Sequence, residues 1–241
     1  MTIRSFPALA LAALVIVGAF ASVAPPPARA DVAPAAPRAS DIDTSAPWRA
    51  AVYRLAHEKF VHPAWGWQHA ERNYRLAREL AAGDGLPVDD DVLFAACFLH
   101  DMAAFPPYER AGVEHGDRAA ETSEAVLRDA GFPMRKYAAV AAAERTHMYD
   151  RTPGAAAESI VLHDADSLDF LGAIGAARII ALAGDKAPSV ASAVMTLRGF
   201  AHDIPPHLVT RTARKIGVER TAELTALLDR IDAESDAGAA L

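Results

Sequence analysis

His100 and Asp101 close an unbroken apolar run, Val92 to Leu99, and that placement sets the first chemical constraint on the chain. Eight apolar residues in succession describe a helix buried nearly all round. An imidazole and a carboxylate at its end are drawn out of water, which is costly if they stay unpaired. A divalent cation satisfies both at once, because neutral imidazole nitrogen and ionised carboxylate oxygen are ordinary ligands. Further ligands of the same kind stand elsewhere. His69 lies in the first turn of a predicted helix, with Asn73, Leu76 and Leu80 along the same side. His115 begins one predicted helix and His147 ends the next, while Asp164 and Asp166 sit in an acidic patch broken by apolar residues. Taken singly, a histidine at a helix start is usually solvated and an aspartate there is usually a cap. Taken together, nitrogen and carboxylate donors without thiolates suit Mn, Fe, Co, Ni or Mg in octahedral geometry better than a structural zinc.

The elements that must position these residues are helical. Just over half of the 241 residues are apolar, alanine dominates, and no stretch alternates with the period of a strand. The spacing predicts helices from Pro47 through Phe60 and from about Trp67 to Ala82, with Gly83 to Pro87 as the stop. The buried helix starts at Asp89 to Asp91 and carries His100–Asp101, followed by a loop from Ala103 to Gly112 around Pro106-Pro107. Helices are expected from His115 to Ala130, from Pro133 to about His147, and from about Ala155 through Leu168. After a bend at Gly172 and Gly175, helix continues through Ala183. Two more follow, about Ser189 to His202 and Pro206 to Glu234, with a break possible at Gly217. An all-α single domain results.

The first thirty residues are read apart from the fold. Arg4, an apolar stretch from Ala8 to Val23, and Ala28-Arg29-Ala30 form a secretory signal pattern with cleavage expected after Ala30. Residues 31–46, rich in Ala, Pro, Ser and Asp, read as a disordered linker, and the mature chain is expected in the periplasm or outside the cell without stable membrane insertion. Cys97, the single cysteine, cannot form an intrachain disulfide and reads as a small buried hydrophobe. The net charge of −7 without a basic cluster offers no electrostatic footprint for nucleic acid.

Three segments carry a family likeness: Trp67-Gln68-His69-Ala70, Phe98-Leu99-His100-Asp101 and Asp164 to Arg178, DADSLDFLGAIGAAR. With the tail from Thr210 to Glu234, they resemble the HD-domain metal-dependent phosphohydrolase superfamily, and among its members the small stand-alone bacterial hydrolases. The resemblance implies an HD-type helical bundle over residues 47–235, with 236–241 as a disordered tail. It implies metal ligation by His69, His100, Asp101 and Asp166, the last chosen over Asp164 because it stands in the A-D-x-L pattern. In members with two metals, the position of Asp101 bridges them and those of His115 and His147 add ligands; otherwise these two histidines orient phosphate or move protons. The chain departs from these stand-alone hydrolases in having Ala193-Val194-Met195-Thr196-Leu197 where a Lys-Leu pair is usual, in the helix before the C-terminal one.

The implied chemistry is hydrolysis of a small phosphate ester or nucleotide by a water that a divalent ion acidifies. Asp101 orients that water and His115 or His147 protonates the leaving oxygen. Arg178 is the favoured partner for phosphate, ahead of Arg72 and Arg145. Trp65, Trp67, Phe105 and Tyr108 either wall the site or pack the core. Two alternatives stand beside this reading: a di-iron oxygenase on the same scaffold, and a non-catalytic metal- or nucleotide-binding protein.

Overall fold

A computed structural model describes residues 42–241 apart from positions 237 and 239. The expected leader at 1–30, and the expected linker as far as residue 41, lie outside these described residues. The end of that linker belongs to the packed unit, because Ile42 is buried in the core. An isoleucine gains too much from leaving water to remain in a solvated tether. At the other end, residues 238, 240 and 241 follow a turn in which the Gly238 N–H donates to the Ser235 hydroxyl at 3.0 Å.

Nine α-helices make up the described residues, with no β-strand among them. They are α1 (Pro47–Lys59), α2 (Trp67–Asp84), α3 (Asp90–Leu99), α4 (His115–Ala130), α5 (Tyr137–Arg145), α6 (Ala157–Asp169), α7 (Gly172–Ile180), α8 (Val190–Asp203) and α9 (Arg211–Glu234). Local chemistry accounts for their starts. Pro47 opens α1, whereas Asp89, Glu114, Ser189 and Thr210 each cap a helix by accepting a backbone N–H. None of the described helices is long and apolar enough to cross a membrane.

The core is organised around α3 and α6. Every residue from Val92 to Leu99 is buried, as the apolar run predicts, and α3 packs against α1, α2, α4, α5 and α6. Cys97 lies wholly inside, where burial pushes its thiol well above the usual range, so it behaves as a hydrophobe. On α6, residues Val161 to Asp169 are all buried although four of them are Asp or His. This helix packs against α2, α3, α5, α7 and α9. Asp164 is satisfied structurally, accepting the N–H groups of Val209 at 2.8 Å and Thr210 at 2.7 Å.

Several boundaries differ from those expected. The pair itself stands where expected, at the end of the buried helix: His100 caps α3 and Asp101 lies just beyond it. Pro133 leads into a 3-10 turn, Met134–Lys136, and α5 ends at Arg145, two residues short of His147. The helix expected from Pro206 begins at Arg211, after a 3-10 turn at Pro205–His207. The remainder, α9, runs unbroken through Gly217. That glycine is there for close approach: a Cβ would collide with the end of Leu208.

Candidate metal centre

Five segments deliver six side chains to one place. His69 comes from the first turn of α2, Asp166 from α6, and His100 and Asp101 from the end of α3. His115 starts α4 and His147 follows α5. All but Asp101 and His115 are fully buried, and the Asp101 side chain is 19 % exposed. Asp101 stands at the centre of the cluster. Its Oδ2 lies 3.5 Å from His69 Nε2 and 3.4 Å from His100 Nε2, while its Oδ1 lies 3.7 Å from His115 Nε2 and 3.8 Å from His147 Nε2. Asp166 Oδ1 joins the first pair, 3.0 Å from His69 Nε2 and 3.8 Å from His100 Nε2. The sequence-predicted ligands therefore meet in two groups that share one carboxylate.

The hydrogen bonds of the other ring nitrogens test whether cations fit there. His69 Nδ1 donates to Asp169 Oδ2 at 2.7 Å, His100 Nδ1 to the Cys97 carbonyl at 2.9 Å, His147 Nδ1 to the Glu144 carbonyl at 2.6 Å. His115 Nδ1 faces Glu114 Oε1 at 2.8 Å. With each Nδ1 committed as donor, each Nε2 presents a lone pair, the arrangement second-shell partners impose on metal-ligating imidazoles. The lone pairs point at one another, 3.3 Å apart for His69 and His100 and 3.0 Å for His115 and His147, and at carboxylate oxygens. Apart from the Asn73 amide, which donates beside His69 and Asp166, acceptors face acceptors and call for positive charge between them. Ligands on adjacent corners of an octahedral ion, each about 2.1 Å from it, sit roughly 3 Å apart. The donor set fits divalent cations.

The electrostatics express the same demand. Burial opposes charging His100, yet Asp101 and Asp166 outweigh it and raise its pKa to about 9, so without a cation a proton takes the place on Nε2 that a cation would occupy. His147, equally buried, is lowered to about 4 by desolvation and by repulsion from His100. Burial alone would raise Asp166, but its bond to His69 and the nearby imidazoles hold it down to about 2.

Sequence reasoning did not assign the residues that brace the cluster. Asp169 holds His69 and is itself clamped by Arg72, at 2.9 and 2.8 Å, and by Arg178 Nη1, at 2.8 Å. Asn73 reaches His69 Nε2 at 3.1 Å and Asp166 Oδ1 at 3.3 Å. Both carried a faint signal, Asn73 one turn after His69 and Asp169 one turn after Asp166. Their roles rest on the contact between α2 and α6 and are invisible in either helix alone.

The expected arginines are placed differently from their expected use. Arg178 is 4 % exposed and bonds inward, to Asp169 and to the Ala64 carbonyl, instead of standing free for phosphate. Arg72 is committed to Asp169, and Arg145 is half-exposed near Asp117. Among the aromatics, Trp65 stacks on His62 and lines a cavity of about 450 Å³ beside Asp101, Asp166 and His115. Trp67 instead stacks on His57, and Phe105 packs on Phe60 in the core, with Tyr108 edge-on to the same ring.

Comparison with known proteins matches residues 66–171 to the HD-domain family model. Among solved structures, a predicted HD superfamily hydrolase from an uncultured Thermotogales bacterium is 27% identical, with a TM-score of 0.55 over 77% of this chain and 90% of that one. A Lactobacillus plantarum protein shares the fold at 22% identity and a TM-score of 0.61, over 81% and 99% of the two chains. Bacillus subtilis YpgQ in complex with ADP shares it at 18% identity and a TM-score of 0.57, over 77% and 97%. No curated protein matches the sequence.

Proposed function

We propose, from the premise that residues 66–171 are an HD domain, that this chain is a metal-dependent phosphohydrolase acting on a small phosphate ester or nucleotide. The observation that carries the reading is the convergence of four imidazole Nε2 atoms on Asp101 and Asp166. His69, His100 and Asp101, with Asp166 beside both histidines, would hold one ion, and His115, His147 and the other oxygen of Asp101 a second. Divalent ions held there would supply an acidified water and a counter-charge for phosphate.

The chain's own residues do the positioning. Asp101 fixes the distance between the two histidine pairs and orients the attacking water from the open side of the cluster. Asp169, gripped by Arg72 and Arg178, holds His69 in the tautomer that presents Nε2. Arg178 is therefore a positioning residue, acting through Asp169. Phosphate enters through the cavity that reaches Asp101, Asp166 and His115. YpgQ binds ADP, and what carries over to this chain is the phosphoryl group alone. The leader read in residues 1–30 adds that the reaction takes place outside the cytoplasm, which N-terminal sequencing of the exported protein checks.

The test is turnover by the purified chain of phosphomonoesters, diesters and nucleoside triphosphates with Mn, Mg, Co or Ni. At least one pairing should be hydrolysed, and Asp101→Ala should abolish it. No turnover with any pairing, while two irons stay bound, would sink this reading in favour of di-iron chemistry.

A further inference from the structure

The cavity beside the cluster has two unlike kinds of lining. Its volume of about 450 Å³ falls in the range of small-molecule sites. Part of the lining is the polar cluster, Asp101, Asp166 and His115; much of the rest is Met148, Phe170, Ile179, Leu182 and Phe200. The rings of Phe170 and Phe200 lie 4.9 Å apart and carry that apolar lining from the end of α6 onto α8.

Beyond the cluster, the charged or hydroxyl-bearing side chains lining the cavity are Arg178 and Thr196. Thr196 is engaged as a donor and Arg178 through Nε and Nη1. Thr196 Oγ1 donates to the Ser192 carbonyl at 3.1 Å, along its own helix. Arg178 bonds the Ala64 carbonyl through Nε and Asp169 through Nη1, and its guanidinium lies 4.8 Å from the Phe170 ring. A nucleobase or sugar entering here meets mostly carbon: the rings of Trp65, Phe170 and Phe200 offer a stacking face but few partners for its amines, carbonyls and hydroxyls. Polar groups that lose water without replacement partners bind poorly, whereas hydrocarbon gains from the same transfer.

We infer that the organic part of the substrate is apolar, a short alkyl or unsubstituted aryl group carrying phosphate, and not a nucleoside. This rests on the phosphohydrolase reading for the polar part of the cavity, while the apolar wall is independent of it. The substrate is thus amphiphilic, its phosphate at the cluster and its hydrocarbon between α7 and α8.

Calorimetric titration of the Mn-loaded chain with methylphosphonate, hexylphosphonate and AMP separates the two kinds of lining. Hexylphosphonate should bind at least about tenfold tighter than methylphosphonate, since one buried methylene is worth roughly fourfold. It should also bind tighter than AMP. Phe200→Ala and the milder Phe200→Leu should each shrink the hexyl-to-methyl ratio, the first more than the second. Equal binding of the two phosphonates, or AMP binding more tightly than hexylphosphonate, overturns the apolar inference. A parallel titration with 1-hexanol in the metal-free chain keeps the two readings apart. Binding of hexanol with none of the phosphonates supports the apolar wall and contradicts the phosphohydrolase reading.

Discussion

At the scale of single residues, the ligand candidates were legible because each breaks an apolar setting. His100 and Asp101 end a buried run, and His69 shares a helix side with core leucines. Burial made their polarity conspicuous, which is the general reason sites can be seen in a sequence. Arg178 was legible as important but not in its role, because its partners Asp169 and Ala64 become neighbours only through folding. Glu144 was not singled out at all. Its carbonyl holds His147 Nδ1, while its side chain is buried with Oε2 bonded to Ser123 at 2.7 Å and Oε1 unpartnered. Burial raises its pKa from the ordinary 4.5 to about 8. The folded state thus keeps a proton that the unfolded chain gives up, so stability is fully present below pH 4.5 and is lost as pH rises to about 8. Glu144→Gln keeps an acceptor for Ser123 and removes the titration. In metal-free protein, thermal unfolding should show the variant gaining on wild type between pH 5 and pH 9. A tenfold change in that equilibrium is worth about 1.4 kcal/mol. Curves that stay parallel over this range would refute the assignment.

At the scale of elements, the helices were legible from their caps and periodicity, and the misplaced boundaries share one cause. Where tertiary contact decides, local signals mislead. Gly217 looks like a breaker, yet it continues α9 because Leu208 needs the space. Pro206 looks like a helix start, but Asp164 captures the N–H groups of Val209 and Thr210 and holds the chain outside the helix until Arg211. The same logic places the second histidine pair. Gly116, in the first turn of α4, lies so close to the end of α5 that a Cβ would sit 2.6 Å from the Glu144 carbonyl oxygen and 3.3 Å from His147. Alanine in a helix gains up to about 1 kcal/mol over glycine, whereas forcing an atom into a packed contact costs roughly 1–3 kcal/mol. The clash wins because the neighbour is backbone and cannot rotate away. Gly116→Ala should therefore lower stability in denaturant unfolding and weaken retention of metal at the His115–His147 pair. A variant more stable than wild type, with unchanged metal content, would show that the close approach is dispensable.

At the scale of the whole molecule, the cluster joins parts of the chain that are remote in sequence. His69 and Asp169, 100 positions apart, are bonded, and α2, α3, α4 and α6 all end or cross at the same point. The described unit from Ile42 to Leu241 thus brings six candidate ligands together, and a cation bound there would tie its elements to one another. Ligand binding to the folded state alone raises stability by about 2.7 kcal/mol at one hundred times Kd, so occupancy is read in the molecule as a whole. The central claim is that two ions share Asp101. Metal content per chain, measured after gel filtration of Mn-loaded protein, tests it most directly in wild type, His115→Ala and Asp101→Ala. The expected result is two ions in wild type, one in His115→Ala and loss of both in Asp101→Ala; wild-type metal content in Asp101→Ala would contradict it.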